Sequence, residues 1–284
     1  MENAGLILEG GGMKGVYTAG VLDFFVEKDI VFSSCYGVSA GACAMMSYLS
    51  KQKGRAYHTM TDYLGDKNYM GWYSLLTTGD LFNVNTGYKL IPEYLNPFDN
   101  DTFHEYKGKA YAVVTNIVTG KPEYLRIRDG KEDITAIRAS ASLPLVSRNV
   151  YINGTPYLDG GISDAVPVRR SVLDGNVKNV VILTKDKDFV RTPTKHTSIF
   201  KIRYPKYPSI ASLMKNRHTV YNDTMDYMKK GEKEGRVFVI RPSKNLPISR
   251  TEKDADKLRE MYELGYEDAK NAYVDMMEFL QKEV

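Results

Sequence analysis

The chain has 284 residues, 43% of them hydrophobic and 26% charged, which is length and apolar content enough for a substantial buried core and excludes a disordered chain. Its net charge of +4 is too small to argue for a nucleic-acid partner, while leaving peripheral contact with an anionic membrane surface open. No run of about 18 apolar residues occurs, and Met1-Glu2-Asn3 leads into Leu6-Ile7-Leu8 without a basic leader, so a cytoplasmic protein that visits membranes without spanning them is expected.

Residues 5–9 read as a buried strand, and residues 16–26 as a helix with Val16, Ala19, Leu22, Phe25 and Val26 along one side. Residues 30–32 and 36–38 supply the next extended piece. Residues 40–49, apolar nearly all round, suit a helix packed beneath a sheet. Strand, turn and helix repeated in this order begin a parallel α/β fold. From Tyr57 to Tyr106 the pattern loosens into short segments, and for the aromatic-rich part from Tyr63 to Phe103, with Trp72, Phe82 and Phe98, an acyl-chain pocket or lid and ordinary packing both stay open.

Residues 111–118 and 123–127 flank Thr119-Gly120 as a hairpin, and residues 133–142 form a short helix stopped by Pro144. Residues 149–152 and 156–158 make a second hairpin around Asn153-Gly154, a pair that favours a primed turn. It delivers Asp159-Gly160-Gly161. A buried strand follows at 177–184, then a basic, proline-bearing stretch at 185–208 expected to be an exposed loop, solvated in preference to a lipid-headgroup site. The remainder reads as a helix over 209–230, a short strand over 237–240 and one long helix over about 252–280, where Ser249 and Glu252 have capping-box spacing. The stripe of Leu258, Met261, Gly265, Ala269 and Met276 on that helix is expected to pack on the body. Cys35 and Cys43 are expected to be buried as small apolar residues.

Chemistry concentrates at the glycine-marked turns. Gly37-Val38-Ser39-Ala40-Gly41 fits a nucleophile elbow, a sharp strand-to-helix turn that lifts one hydroxyl clear of the backbone, with Ser39 as nucleophile. Gly10-Gly11-Gly12-Met13-Lys14-Gly15, opening a helix, fits an oxyanion hole because N–H groups without side chains around them can approach developing negative charge. A serine hydroxyl needs a neighbour to take its proton. None of the four histidines, His58, His104, His196 and His218, stands beside a recognisable signature. Asp159 ends a strand before two glycines and is the better candidate base.

These three turns, in this order, resemble those of the patatin-like phospholipases, bacterial members in particular. The resemblance covers residues 4–184 and, more loosely, the rest as a C-terminal extension over 185–284. It implies a three-layer α/β/α fold with a mainly parallel central sheet, and lipid acyl hydrolysis through an acyl-enzyme without metal or cofactor. Ser39 then matches the nucleophile and Asp159 the base of a Ser–Asp dyad. Gly10, Gly11, Gly12 and Met13 match the oxyanion turn, and Lys14, Gly15, Gly37, Gly41, Gly160 and Gly161 the supporting motif positions. Residues 139–144 and Thr115-Asn116 also resemble family segments. The implied partner is a lipid or fatty-acyl ester, and the oligomeric state stays open.

Three rivals remain beside this reading. A nucleotide-binding oxidoreductase would need an acidic residue ending the second strand, yet Asp29 precedes Ile30-Val31-Phe32. An ordinary α/β-hydrolase triad would recruit His218, although its elbow normally follows several strands. The third is a catalytically silent lipid-binding protein that keeps the fold.

Overall fold

The computed structural model describes residues 1–282. The first half alternates as the apolar runs require: β1 (Glu2–Leu8), α1 (Gly15–Glu27), β2 (Phe32–Val38) and α2 (Ala40–Leu49). The loose aromatic segment is helical in short pieces, namely α3 (Arg55–Thr61), α4 (Trp72–Thr78), a wide π-type turn at Thr86–Leu95 that contains Pro92, and α5 (Asn100–Glu105). Next come β3 (Lys109–Asn116), β4 (Lys121–Ile127), α6 (Ile134–Ser140), β5 (Val150–Ile152), β6 (Thr155–Asp159), α7 (Val168–Leu173) and β7 (Asn179–Ile182). The chain closes with α8 (Ser198–Arg203), α9 (Pro208–Lys233), β8 (Val237–Ile240), α10 (Ala255–Asn271) and α11 (Tyr273–Gln281).

All eight strands join one sheet in the order β5-β6-β3-β2-β1-β7-β8, with β4 on β3. The run β3-β2-β1-β7-β8 is parallel, and the β4, β5 and β6 pairings are antiparallel. Strand side chains alternate between two layers, as a period of two dictates. Leu6, Leu8, Cys35, Val180 and Ile182 face the core beneath α1, α2 and α10, whereas Ile7, Tyr36, Val181 and Leu183 face Tyr221 and Met228 of α9. The result is the expected α/β/α sandwich with a mainly parallel sheet. In the β5–β6 hairpin Asn153 and Gly154 both have left-handed φ, +49° and +78°, as a primed turn needs.

Helix α10 packs on α1 through glycine, and the expected apolar stripe is buried there: Leu258, Met261, Gly265 and Ala269 all lie inside. A Cβ on Gly265 would collide with the Tyr17 carbonyl, and one on Gly20 with the Tyr262 carbonyl. Tyr17 donates to Asp268 (3.0 Å) and Tyr262 to Asp23 (2.8 Å) across the same crossing.

Two expectations are corrected. The single helix over 252–280 is two helices, separated at Ala272, and its N-cap is Asp254, whose carboxylate accepts from the amides of Asp256 and Lys257. Only half of the Ser249 capping box exists, the Ser249 N–H donating to Glu252 at 3.3 Å. The basic stretch 185–208 is not simply an exposed loop either. It contains α8, it buries Phe200 and Tyr204 against α9, and it folds Lys185 inward. Cys35 is buried as expected, while Cys43 is only half-buried.

Candidate active site

The site is assembled by β3. Over Lys109–Val113 this strand pairs with β2, bringing Val113 opposite Val38, and over Val114–Asn116 it pairs with β6, bringing Val114 opposite Asp159. Ser39, next after Val38, and Asp159 are thereby set beside each other at one end of the sheet. Gly160 is needed at this junction, since a Cβ there would strike the Val113 carbonyl.

Ser39 sits at φ +55°, ψ −125°, a left-handed conformation that costs a non-glycine residue about 1–3 kcal/mol. Gly37 and Gly41 permit the tight turn around it, as side chains there would meet Ala42 Cα and the Leu8 carbonyl, each at 2.5 Å. The Ser39 amide donates to the fully buried Ser140 Oγ (2.9 Å), and the Asp159 amide to the Ser142 carbonyl (2.8 Å). Residues 139–144, singled out in the sequence, thus brace both neighbours. Thr115 Oγ1 donates to the Asp159 carbonyl (2.8 Å) from the strand side.

Asp159 is buried; its Oδ1 accepts from the Gly161 amide (2.7 Å), whereas its Oδ2 has no hydrogen-bond partner among the described residues. Burial pushes this carboxyl above its ordinary value, opposed by the nearby Ser39 hydroxyl, the Arg217 guanidinium and the Gly161 N–H. No hydrogen bond of ordinary geometry joins Ser39 to Asp159, and catalytic hydrogen bonds of this kind commonly tighten only around a bound substrate.

The glycine turn lies against the elbow, with Gly10 so close that a Cβ would fall 2.7 Å from Ser39 Cβ. Gly12 has φ +58°. The Gly11 and Gly12 amides donate to no protein acceptor among the described residues. Met13 differs from expectation: its amide donates to the Arg250 carbonyl at 3.0 Å, because the loop before α10 lies over the turn, so this donor is already occupied. Lys14 is half-buried near Arg250, and Gly15 passes Ala40 at a distance no side chain would allow.

Ser39 borders two spaces. One is an apolar cavity of about 160 Å³ walled by Met13, Cys43, Met46, Tyr69, Tyr88 and Ile91 among others. Burial raises the Cys43 thiol there to about 11, so it stays protonated. The aromatic segment contributes both wall and surface. Tyr69, Phe82 and Phe98 line the cavity, and Trp72, Leu76 and Tyr94 are exposed. The second space is a small cleft holding Asp159, Gly161, Arg191, Arg217 and Arg250. No histidine borders either space. His218 makes only local contacts with Lys215 and Thr219, while its neighbour Arg217 donates to the Gly161 carbonyl (2.7 Å). Among the described residues no group of three His, Cys, Asp or Glu side chains is placed to hold a metal.

Sequence reasoning missed the three arginines and Glu9. The buried Glu9 carboxylate accepts from the Thr184 amide (2.7 Å), the Thr184 hydroxyl (3.0 Å) and the Tyr221 hydroxyl (3.0 Å), tying the glycine turn to β7 and α9. A carboxylate ending a buried strand was the available signal for Glu9. The arginines carried none, since their convergence depends on long-range packing.

Residues 6–171 match the family model described as patatin-like phospholipase. The chain belongs to the patatin-like phospholipase family. A second model, a domain of unknown function (DUF6363), matches residues 207–281 of this patatin-like chain. Among relatives, the uncharacterized protein YjjU of Escherichia coli is 29% identical over 92% of this chain and 74% of its own length. The probable lipid hydrolase 463L of Invertebrate iridescent virus 6 is 24% identical over 78% of this chain and 79% of its own. Lysophospholipase NTE1 of Candida albicans is 23% identical over 96% of this chain, which spans 20% of that larger protein. The crystal structure of VipD from Legionella pneumophila shares the fold, with a TM-score of 0.51 at 14% identity over 99% of this chain and 67% of that one.

Proposed function

We propose that this patatin-like chain is a serine lipid acyl hydrolase that cleaves carboxylic esters through an acyl-enzyme. Ser39 attacks the ester carbonyl, Asp159 takes its proton, and the Gly11 and Gly12 amides stabilise the oxyanion, each such donor contributing roughly 3 kcal/mol. Asp159 then protonates the departing alcohol, and water repeats the cycle to release the fatty acid. The observation that carries this reading is the unpartnered Oδ2 of a buried carboxylate beside a strained serine, between a free pair of amides and an apolar cavity. The similarity to a viral probable lipid hydrolase and a fungal lysophospholipase supports a lipid ester as substrate.

In this reading residues 4–184 form the catalytic unit and residues 185–284 an extension that completes the site. Lipid contact is peripheral and made by the exposed Trp72, Leu76 and Tyr94 beside the cavity; among the described residues no helix is long and apolar enough to cross a membrane.

The test is a fluorophosphonate ester probe with intact-mass and peptide analysis, alongside p-nitrophenyl esters of graded chain length. A single adduct on Ser39, absent from Ser39→Ala together with the esterase activity, is expected. Labelling elsewhere, or activity surviving in Ser39→Ala, overturns the assignment.

A further inference from the structure

The small cleft that meets the apolar cavity at Gly12, Ser39 and Leu143 is lined, beside Gly10, Gly11 and Asp159, by three guanidiniums from separate segments. Arg191 comes from the loop after β7, Arg217 from α9 and Arg250 from the loop before α10. Each is held differently. Arg217 Nε donates to the Gly161 carbonyl (2.7 Å), and its Nη2 would stand 3.3 Å from a Cβ on Gly161. Arg191 lies 4.1 Å over the Tyr221 ring with its buried Nε unpartnered. Arg250 is fixed through its carbonyl on the Met13 amide and has an exposed side chain. Lys14 and Lys185 lie nearby, their proton affinity lowered first by burial and then by the neighbouring cations.

Among the described residues none of these five cations is in a salt bridge with a carboxylate. The nearby carboxylates offset part of this charge: Glu9, hydrogen-bonded to Thr184 and Tyr221, attracts Lys185, Arg191 and Arg217, Asp186 attracts Lys14, and Asp159 attracts Arg217, which leaves five cations against three carboxylates. Burial, followed by Arg191 and Arg250, lowers Arg217 to about 10, which leaves it charged at neutral pH. Like charges packed this closely into a partly buried site repel one another and carry a desolvation cost, both of which an incoming anion relieves.

A planar fork of N–H donors matches phosphate oxygens, and charge-assisted bonds of this kind are about twice as strong as neutral ones. The remaining volume is about 20 Å³, little more than a water occupies. A phosphate enters only if the exposed Arg250 side chain moves aside and then closes on it, and three guanidiniums match the two charges of a phosphate monoester better than the single charge of a diester. We propose, resting on the acyl-hydrolase reading, that this cleft is a phosphomonoester subsite and that the preferred substrates are acylglycerols whose headgroup is a bare phosphate. The acyl chain lies in the apolar cavity, the ester carbonyl at Ser39 and the phosphate among Arg191, Arg217 and Arg250.

The test compares kcat/KM of the full chain on three lipids with the same acyl chain: a lysophosphatidic acid, the corresponding lysophosphatidylcholine and a neutral monoacylglycerol. Wild type is expected to favour the phosphomonoester by about tenfold or more. That ratio should fall toward one in Arg250→Gln and in Arg191→Gln, with folding checked by circular dichroism. Glycerol 3-phosphate should inhibit p-nitrophenyl ester hydrolysis competitively and more strongly than inorganic phosphate. Equal turnover of the three lipids, or variants that lower all three in proportion, overturns the subsite while leaving the hydrolase reading intact. Inorganic phosphate inhibiting as well as glycerol 3-phosphate, without any lipid preference, assigns the cleft to free phosphate and also overturns it. If wild type hydrolyses no ester, the hydrolase reading fails. Calorimetry of glycerol 3-phosphate then decides the cleft, with binding lost in Arg250→Gln supporting an anion site and no binding to wild type refuting it.

Discussion

Replacing Asp159 with asparagine should move activity and stability in opposite directions. Asparagine preserves the side-chain shape, and its oxygen can keep the 2.7 Å bond from the Gly161 amide. Its NH₂ then occupies the position of Oδ2, which has no partner of its own, and points a donor at the Ser39 hydroxyl where a proton acceptor is required. Loss of a general base costs about 10²–10⁴ in rate, or about 3–5 kcal/mol of transition-state stabilisation. The stability change has the other sign. Burial holds the folded carboxyl above its unfolded value, so its contribution favours folding below the unfolded pKa and is lost as pH rises through the folded one. Above the folded pKa the ionised, desolvated group is therefore a burden that a neutral amide removes. Measured together, kcat/KM on a p-nitrophenyl ester should collapse while the thermal midpoint rises, by about 2–4 °C for each kcal/mol recovered in a chain of this size. Activity retained within threefold, or a midpoint that falls, would refute the assignment of Asp159 as a buried base.

Three further outcomes follow from the same geometry. In wild type, kcat/KM should rise with pH through an apparent pKa above the ordinary carboxylate value of about 3.9, in the direction set by the buried Asp159; a profile flat from pH 4 to 8 contradicts it. Ser140→Ala strips the Ser39 amide of its buried acceptor, which should cost about 1–3 kcal/mol in denaturant titrations and lower kcat through a loosened elbow. An unchanged midpoint and unchanged rate would show that bond to be idle. Gly265→Ala forces α10 away from the Tyr17 carbonyl; about 1–3 kcal/mol of overpacking should exceed the gain of about 1 kcal/mol in helix propensity, so thermal denaturation should begin earlier.

Much of the architecture was legible because local signals agreed with one another. The period-two and helical apolar runs, Asn153-Gly154 and the glycines around Ser39 each name a conformation that few other residues permit, and the fold uses them that way. What stayed hidden depends on distant partners. The 185–208 stretch is basic and polar, so its composition says solvent, yet Arg191 turns inward because Tyr221, thirty residues away on α9, offers a ring face. Arg217 and His218 are neighbours on α9, and only the rotation of the helix decides that Arg217 looks at Gly161. The break at Ala272 has no glycine or proline to announce it, and Asp254 took the cap from Ser249 because its carboxylate reaches two open amides. The Met13 amide was drawn into the oxyanion turn by proximity in sequence, but the Arg250 carbonyl from the other end of the chain already occupies it.

The pairing of β3 first with β2 and then with β6 makes chemistry a gauge of assembly order. Residues far apart in sequence become neighbours only when one strand has accepted both partners in the right register, and a slip by one position would turn every side chain of the incoming strand to the opposite face. Helices α1 and α2 can form from local contacts, so in a refolding experiment the far-ultraviolet signal should recover well before turnover does. The interval between the two would time the completion of the long-range contacts around the site, the docking of the β5–β6 hairpin among them, without any added label.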